Sequence, residues 1–153
     1  MNFFGVPWWI NLAVSLGGYA AMTWWYVSRG PTFPPLSTVN VLHRERFASA
    51  WSHRSLITRL GGAQNALGVT LTDTELWLKT PTAFWGIVAF YDLLHRIDVQ
   101  DIARVEDAGN TIFIHFTRSD SSPAKVQLKL RDKSGFLSKV EPLLSASNKK
   151  TAT

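Results

Sequence analysis

The feature that most constrains this chain lies at its start. From Val6 to Val27 there are 22 residues without a charged side chain, and the first charge is Arg29. A helix rising ~1.5 Å per residue would span roughly 33 Å over that run, enough to cross a hydrocarbon core of about 30 Å. Pro7 suits a first-turn position, where its missing N–H is no loss. Trp8 and Trp9 near one end, and Trp24, Trp25 and Tyr26 near the other, have the placing of interfacial aromatic belts. Residues 1–28 therefore read as a transmembrane helix. Arg29, Arg44 and Arg46 all follow it, so the positive-inside rule predicts a single-pass protein of the cell membrane with its C-terminal body in the cytoplasm. Ala13, Gly17 and Ala21 recur at four-residue spacing, a pattern that lets two helix backbones approach, and they predict self-association or docking of a protein partner through this helix.

The competing reading is an exported soluble protein, or an accessory subunit of a membrane complex, whose first segment is a cleaved signal. Gly18-Tyr19-Ala20 has the small-x-small form of a cleavage site. Against it, no Lys or Arg precedes Trp8, and the apolar run continues past the cut into "MTWWYV".

The remainder is one domain by length. "RGPTFPPLSTVN" carries three prolines and reads as a short stiff linker over residues 29–42, with a body over 43–145 and a disordered tail "SASNKKTAT" covering 146–153. The chain has no cysteine, which excludes disulfides, thiolate nucleophiles and cysteine metal sites. Sixteen basic against eleven acidic residues give a net charge of +5, a bias toward anionic partners.

The body alternates as strands do. In "ALGVTLT" Leu67, Val69 and Leu71 share a face, "TDTE" supplies turn residues, and "LWLK" runs back as a hairpin. "NTIFIHFT" and "AKVQLKLR" also have a period of two, with Val126, Leu128 and Leu130 on one side and Lys125, Gln127, Lys129 and Arg131 on the other. With "RFASAW", "SLITRL", "LLHRID" and "IARVED" there are up to eight short extended segments, the first pair readable as one bent strand. Then the period changes: Phe136, Leu137, Val140, Leu143 and Leu144 mark one stripe of a helix starting near Ser134.

"ALGVTLTDTELWLK", followed by "LHRIDVQDIARVED", a further hairpin and a helix, resembles the bacterial pleckstrin-homology-like and GRAM-related domains over roughly residues 46 to 145. The resemblance implies an α+β, mostly β fold: a PH-like antiparallel β-barrel of about seven strands capped by a C-terminal amphipathic helix. It also implies a noncatalytic binding or assembly module.

No residue pattern points to catalysis. His95 and His115 lie on separate strands among Asp98, Asp101, Glu106 and Asp107, without a His-x-x-x-His or comparable ligand spacing. A G-x-S-x-G elbow, a P-loop and a dinucleotide fingerprint are missing from the sequence, so no cofactor, metal or catalytic residue is expected. The basic residues are not interleaved with aromatics in sequence as stacking platforms require, and nucleic acid is not expected. Two stretches are left as candidate lipid or partner contacts. The apolar run 80–94 carries Phe84, Trp85 and Phe90, which could sit in core, partner or bilayer interface; the outward face of one strand carries Lys125, Lys129 and Arg131, placed for anionic lipid headgroups.

Overall fold

The computed structural model describes residues 7–151, so Val6 and the residues before it, and the last two of the tail, lie outside the described residues. The N-terminal run forms helix α1 (Trp8–Arg29), with Pro7 as its cap. It is followed by a 3₁₀ turn (Leu36–Thr38), β1 (Val41–Ser52), α2 (Leu56–Leu60), β2 (Ala63–Thr72), β3 (Glu75–Lys79) and a 3₁₀ turn (Thr82–Phe84). Next come α3 (Trp85–Phe90), β4 (His95–Asp98), a 3₁₀ turn (Val99–Asp101), β5 (Ile102–Ala108), β6 (Thr111–Thr117), β7 (Pro123–Lys129) and α4 (Lys133–Thr151).

The seven strands form one antiparallel sheet in the order β4-β3-β2-β1-β7-β6-β5. Long β1 is the spine, paired with β2 from Val41 to Ala50 and with β7 from Ser49 to Ser52. Strand number and C-terminal helix agree with the PH-like expectation. Closure does not: the sheet is open, with β4 and β5 as unpaired edges. Between them the chain turns through Val99–Asp101, anchored by the Val99 N–H to the Thr74 carbonyl at 2.8 Å. Buried Ile97, Val99 and Ile102 and the packing of α4 against this turn fill the gap with side chains rather than with a hydrogen-bond ladder.

Helix α4 is fixed by its start. The Asp132 carboxylate accepts the Gly135 N–H at 2.9 Å, and Glu45, a buried carboxylate on β1, accepts the N–H groups of Arg131 and Asp132 at 2.7 and 3.1 Å. Orphan donors are thereby satisfied and negative charge sits at the positive end of the helix. Phe136 and Val140 then enter a core built from Leu67, Val69, Leu71, Ile112, Ile114, Val126 and Leu128, as the alternation predicts.

Two further expectations are corrected. "SLITRL" is α2 and not a strand: the Ser55 hydroxyl accepts the Thr58 N–H at 3.2 Å and the Ser55 N–H donates to Thr58 Oγ1 at 2.9 Å, a reciprocal cap that outweighs a short alternation. The stretch read as a stiff linker lies against the body: Phe33 packs edge to face on Trp77 at 5.8 Å and Arg96 donates to the Thr32 carbonyl at 2.9 Å.

The most consequential correction concerns α1. No described helix is long and apolar enough to cross a membrane, which overturns the transmembrane, single-pass and cytoplasmic-side assignments. Length is adequate at 22 residues, but Asn11, Ser15, Gly17, Gly18, Tyr19, Thr23 and the tryptophans themselves dilute the aliphatic content. Pro7, Trp8, Trp9, Ala13, Gly17, Ala21, Trp24 and Trp25, all assigned to the span, instead belong to a helix that packs one side against the body. Tyr19, Met22, Thr23 and Tyr26 form the covered side: Tyr19 Oη donates to the Ala83 carbonyl at 2.5 Å, and α3 approaches so closely that a Cβ on Gly86 would lie 2.9 Å from Thr23 Oγ1.

Candidate functional site

The inner face of the sheet is consumed by the core, so any binding surface must come from the outer face, the edges or the helices. On the outer face, register sets Arg44 opposite Thr70, Thr70 opposite Trp77 and Gly68 opposite Lys79. Thr70 and Gly68 are small, so the long side chains of Arg44 and Lys79 flank a depression. Phe33 from the linker and Trp85 from α3 wall it, their rings edge to face at 5.9 Å. Trp85 is held by its indole N–H donating to the Thr80 carbonyl at 2.9 Å. The resulting cleft has a volume of about 650 Å³ and also takes in Arg46 and Phe47.

Phe47 is the strained member. It has a φ of 65° in the β-bulge between Glu45 and Ala48, opposite Gly68, and is 58% exposed. A bulky side chain in the left-handed region costs of order 1–3 kcal/mol and persists only where its surroundings over-determine it. At the next irregularity along the pair, between Ala48 and Ala50, Asn65 has a φ of 49° and its N–H donates to Ser49 Oγ at 3.0 Å.

Part of the surface charge is neutralised within the fold and part is not: like the cleft cations, Arg59, Lys125, Lys129 and Arg131 have no carboxylate within ion-pair distance among the described residues. Arg54, Arg96, Arg104, Arg118 and Lys133 each reach a carboxylate. Among the described residues, none lies within ion-pair distance of Arg44, Arg46 or Lys79. Glu45, the acid between the arginines, is turned to the other side to cap α4. Burial first and the charge of Arg44 second hold the Lys79 pKa below the usual lysine value. Its ammonium instead faces the rings of Phe33 at 5.2 Å and Trp77 at 5.0 Å. Cations held together without an acid, over aromatic walls, can accept an anion or an anion with an apolar part.

The residues singled out in the sequence fall in several places. Trp85 lines the cleft, whereas Phe84 and Phe90 are exposed on the helical side and do not. Lys125 lies 3.8 Å over the Phe113 ring. Lys129 and Arg131 are exposed beside a neighbouring groove that shares Phe47 with the cleft and is otherwise lined by Ser49, Trp51, Gln64, Asn65 and Leu130. Basic and aromatic side chains thus do interleave in space on this face although they do not in sequence. Arg44, Arg46, Lys79, Phe33 and Phe47 escaped the sequence reading. A signal existed for two of them: in "RERF" a period of two puts Arg44 and Arg46 on one side of Glu45. Lys79 and Phe33 join only through strand pairing and linker docking.

The histidines and carboxylates of 92–116 form structure. Asp92 accepts from Ser52 Oγ at 2.8 Å and from Arg118, with Arg54 and His95 at 3.7 and 3.8 Å. Although Ser, His and Asp are all present, the Ser52 hydroxyl donates to the Asp92 carboxylate and not to the His95 imidazole, so the three do not form a Ser–His–Asp relay. His95 is largely buried against Phe116, and its Nε2 is 2.8 Å from the Asp92 carbonyl, while His115 pairs with Glu106 at 3.1 Å. Among the described residues no cluster of three or more His, Asp or Glu is placed to hold a metal ion.

No family model matches the chain, and no curated protein matches it. Over 73% of its length the chain is similar to part of a chain in the crystal structure of the complex of PDZ-RhoGEF DH/PH domains with GTP-γ-S-activated RhoA. The identity is 17%, the TM-score 0.46, and this chain spans 30% of that one.

Proposed function

We propose that the protein is a noncatalytic binding module that takes an anionic headgroup, of the phospholipid type, in the cleft of Arg44, Arg46 and Lys79. The observation that carries this reading is that these cations share one cleft and lack any acidic partner among the described residues, while Phe33, Phe47 and Trp85 offer apolar walls beside them. Each basic group near an anionic lipid surface is worth about 1 kcal/mol, so three together shift binding by roughly a hundredfold. Lys125, Lys129 and Arg131 extend the positive face and supply secondary attraction.

Titrating the full chain with a water-soluble, short-chain phosphatidylglycerol, its phosphatidylcholine counterpart and inorganic phosphate tests the reading. Selective binding of the first, weakened at least about tenfold by Arg44→Gln with Lys79→Gln, is expected. Equal response to the anionic and zwitterionic lipids would overturn it, and binding of phosphate alone would make the ligand a free anion. With no spanning helix found among the described residues, the second reading is an accessory subunit of a larger assembly. Stoichiometric copurification of one protein with the full chain would favour it.

A further inference from the structure

Helices α1 and α3 pack on each other, yet their outer sides are uncovered. Trp9, Trp24 and Trp25, on the half of α1 turned away from the body, are all more than half exposed, Trp24 as much as 76%, and Phe84 before α3 and Phe90 at its end are exposed at 54% and 55%. An uncovered surface of that size and composition marks an interaction site. Its occupant is indicated by what surrounds it. Helix α1 carries no charge before Arg29, whose guanidinium lies 3.7 Å over the Trp25 ring at the helix end. Beyond that end, a Cβ on Gly30 would lie 3.6 Å from the ring of Trp85, the same tryptophan that walls the cationic cleft. Apolar surface and unpaired positive charge therefore adjoin.

We propose that the exposed aromatic side of α1 and α3 beds into the headgroup interface of an anionic bilayer, with α1 lying along the surface rather than across it. Indole and phenyl rings are favoured at that depth, where an apolar body meets a wet boundary. Asn11, Ser15 and Thr23, which make α1 too polar to span, are tolerated in a helix that stays at the boundary. A negatively charged membrane offers both complements at once: an apolar layer for the rings and surface charge for Arg29, Arg44 and Lys79. The inference rests on the cleft reading for its charge selectivity and is independent of it for the seating of the rings.

The test uses the full chain and vesicles of phosphatidylglycerol with phosphatidylcholine, or phosphatidylcholine alone, with bromine-labelled acyl chains. Cosedimentation with the anionic vesicles together with quenching of tryptophan emission is expected, and Trp24→Gln with Trp25→Gln should weaken partitioning by about tenfold while leaving short-chain lipid binding in the cleft unchanged. Quenching that survives Arg44→Gln with Lys79→Gln supports the seating of the helices, and the short-chain lipid titration of the same variant separately decides the cleft. Cosedimentation without quenching shows attraction by charge alone and overturns the helix proposal, as does failure to bind either vesicle while the short-chain lipid still titrates. In that last case a protein becomes the occupant of the face.

Discussion

Two groups of charges in this molecule are built on opposite terms. Around Asp92, Ser52, Arg54, His95 and Arg118 converge on a single carboxylate between β1, β4, β6 and the end of α3. In the cleft, among the described residues, no carboxylate is within ion-pair distance of Arg44, Arg46 or Lys79, and Glu45, which also lines it, gives its carboxylate to the start of α4. The first group is paired inside the fold, although Arg118 Nε is left without a partner, and removing Asp92 leaves the largely buried Arg118 charge with its desolvation cost uncompensated. The second is unsatisfied, so the fold gains little from it and its members await something external. Cations that a fold has already neutralised speak of architecture, and cations that it has left together speak of a ligand.

The largest expected contrast comes from breaking each group once. Asp92→Asn keeps a residue that accepts the positive φ of 56° there but deletes the charge facing Arg118, and should cost about 3 kcal/mol in urea unfolding. Arg44→Gln with Lys79→Gln should change stability by no more than about 0.5 kcal/mol, though it removes binding. Comparable losses from both variants would erase the distinction.

A smaller effect is expected at the bulge. Phe47→Gly places at φ of 65° a residue that adopts it freely, so stability should rise by about 1 kcal/mol in thermal unfolding while affinity for the short-chain anionic lipid falls. Loss of stability would mean that the exposed ring holds the fold together and is not kept for a ligand.

Smaller again is the seam beneath α1. Gly86→Ala adds a Cβ 2.9 Å from Thr23 Oγ1 and 3.0 Å from the mobile end of Met22, and should lower stability by up to about 1 kcal/mol. The same change should leave cleft binding intact, which a binding titration checks.

The last effect comes from a single group and separates the clusters by pH. Burial is the main cause holding the His95 pKa below its ordinary 6.5, with Asp92 pulling against it. The unfolded chain therefore takes up that proton first, so the stabilisation is complete above pH 6.5 and is lost as pH falls from there toward the folded pKa. Melting temperatures recorded downward from pH 8 should show this fall, and His95→Gln should reduce it. A flat profile in the wild type would remove His95 from the satisfied cluster.

Much of the scaffold was legible because local chemistry and tertiary packing agree. The alternation of Leu67, Val69 and Leu71, and of Val126, Leu128 and Leu130, had a single useful orientation once a core existed, and the stripe from Phe136 to Leu144 could bury itself only as a helix. The length of α1 was also legible, since nothing in the run interrupts a helix after Pro7. What the residues in order did not contain is the neighbour of each. Trp85 and Phe33 are 52 positions apart and meet because the linker folds back over β3. Lys79 joins Arg44 only through the pairing of β2 with both β1 and β3. Whether the sheet closes and which cations keep a carboxylate were decided in the same way. Side-chain periodicity fixes which face a residue turns to, whereas register, strand order and docking fix what stands opposite it, and burial and charge depend on the second.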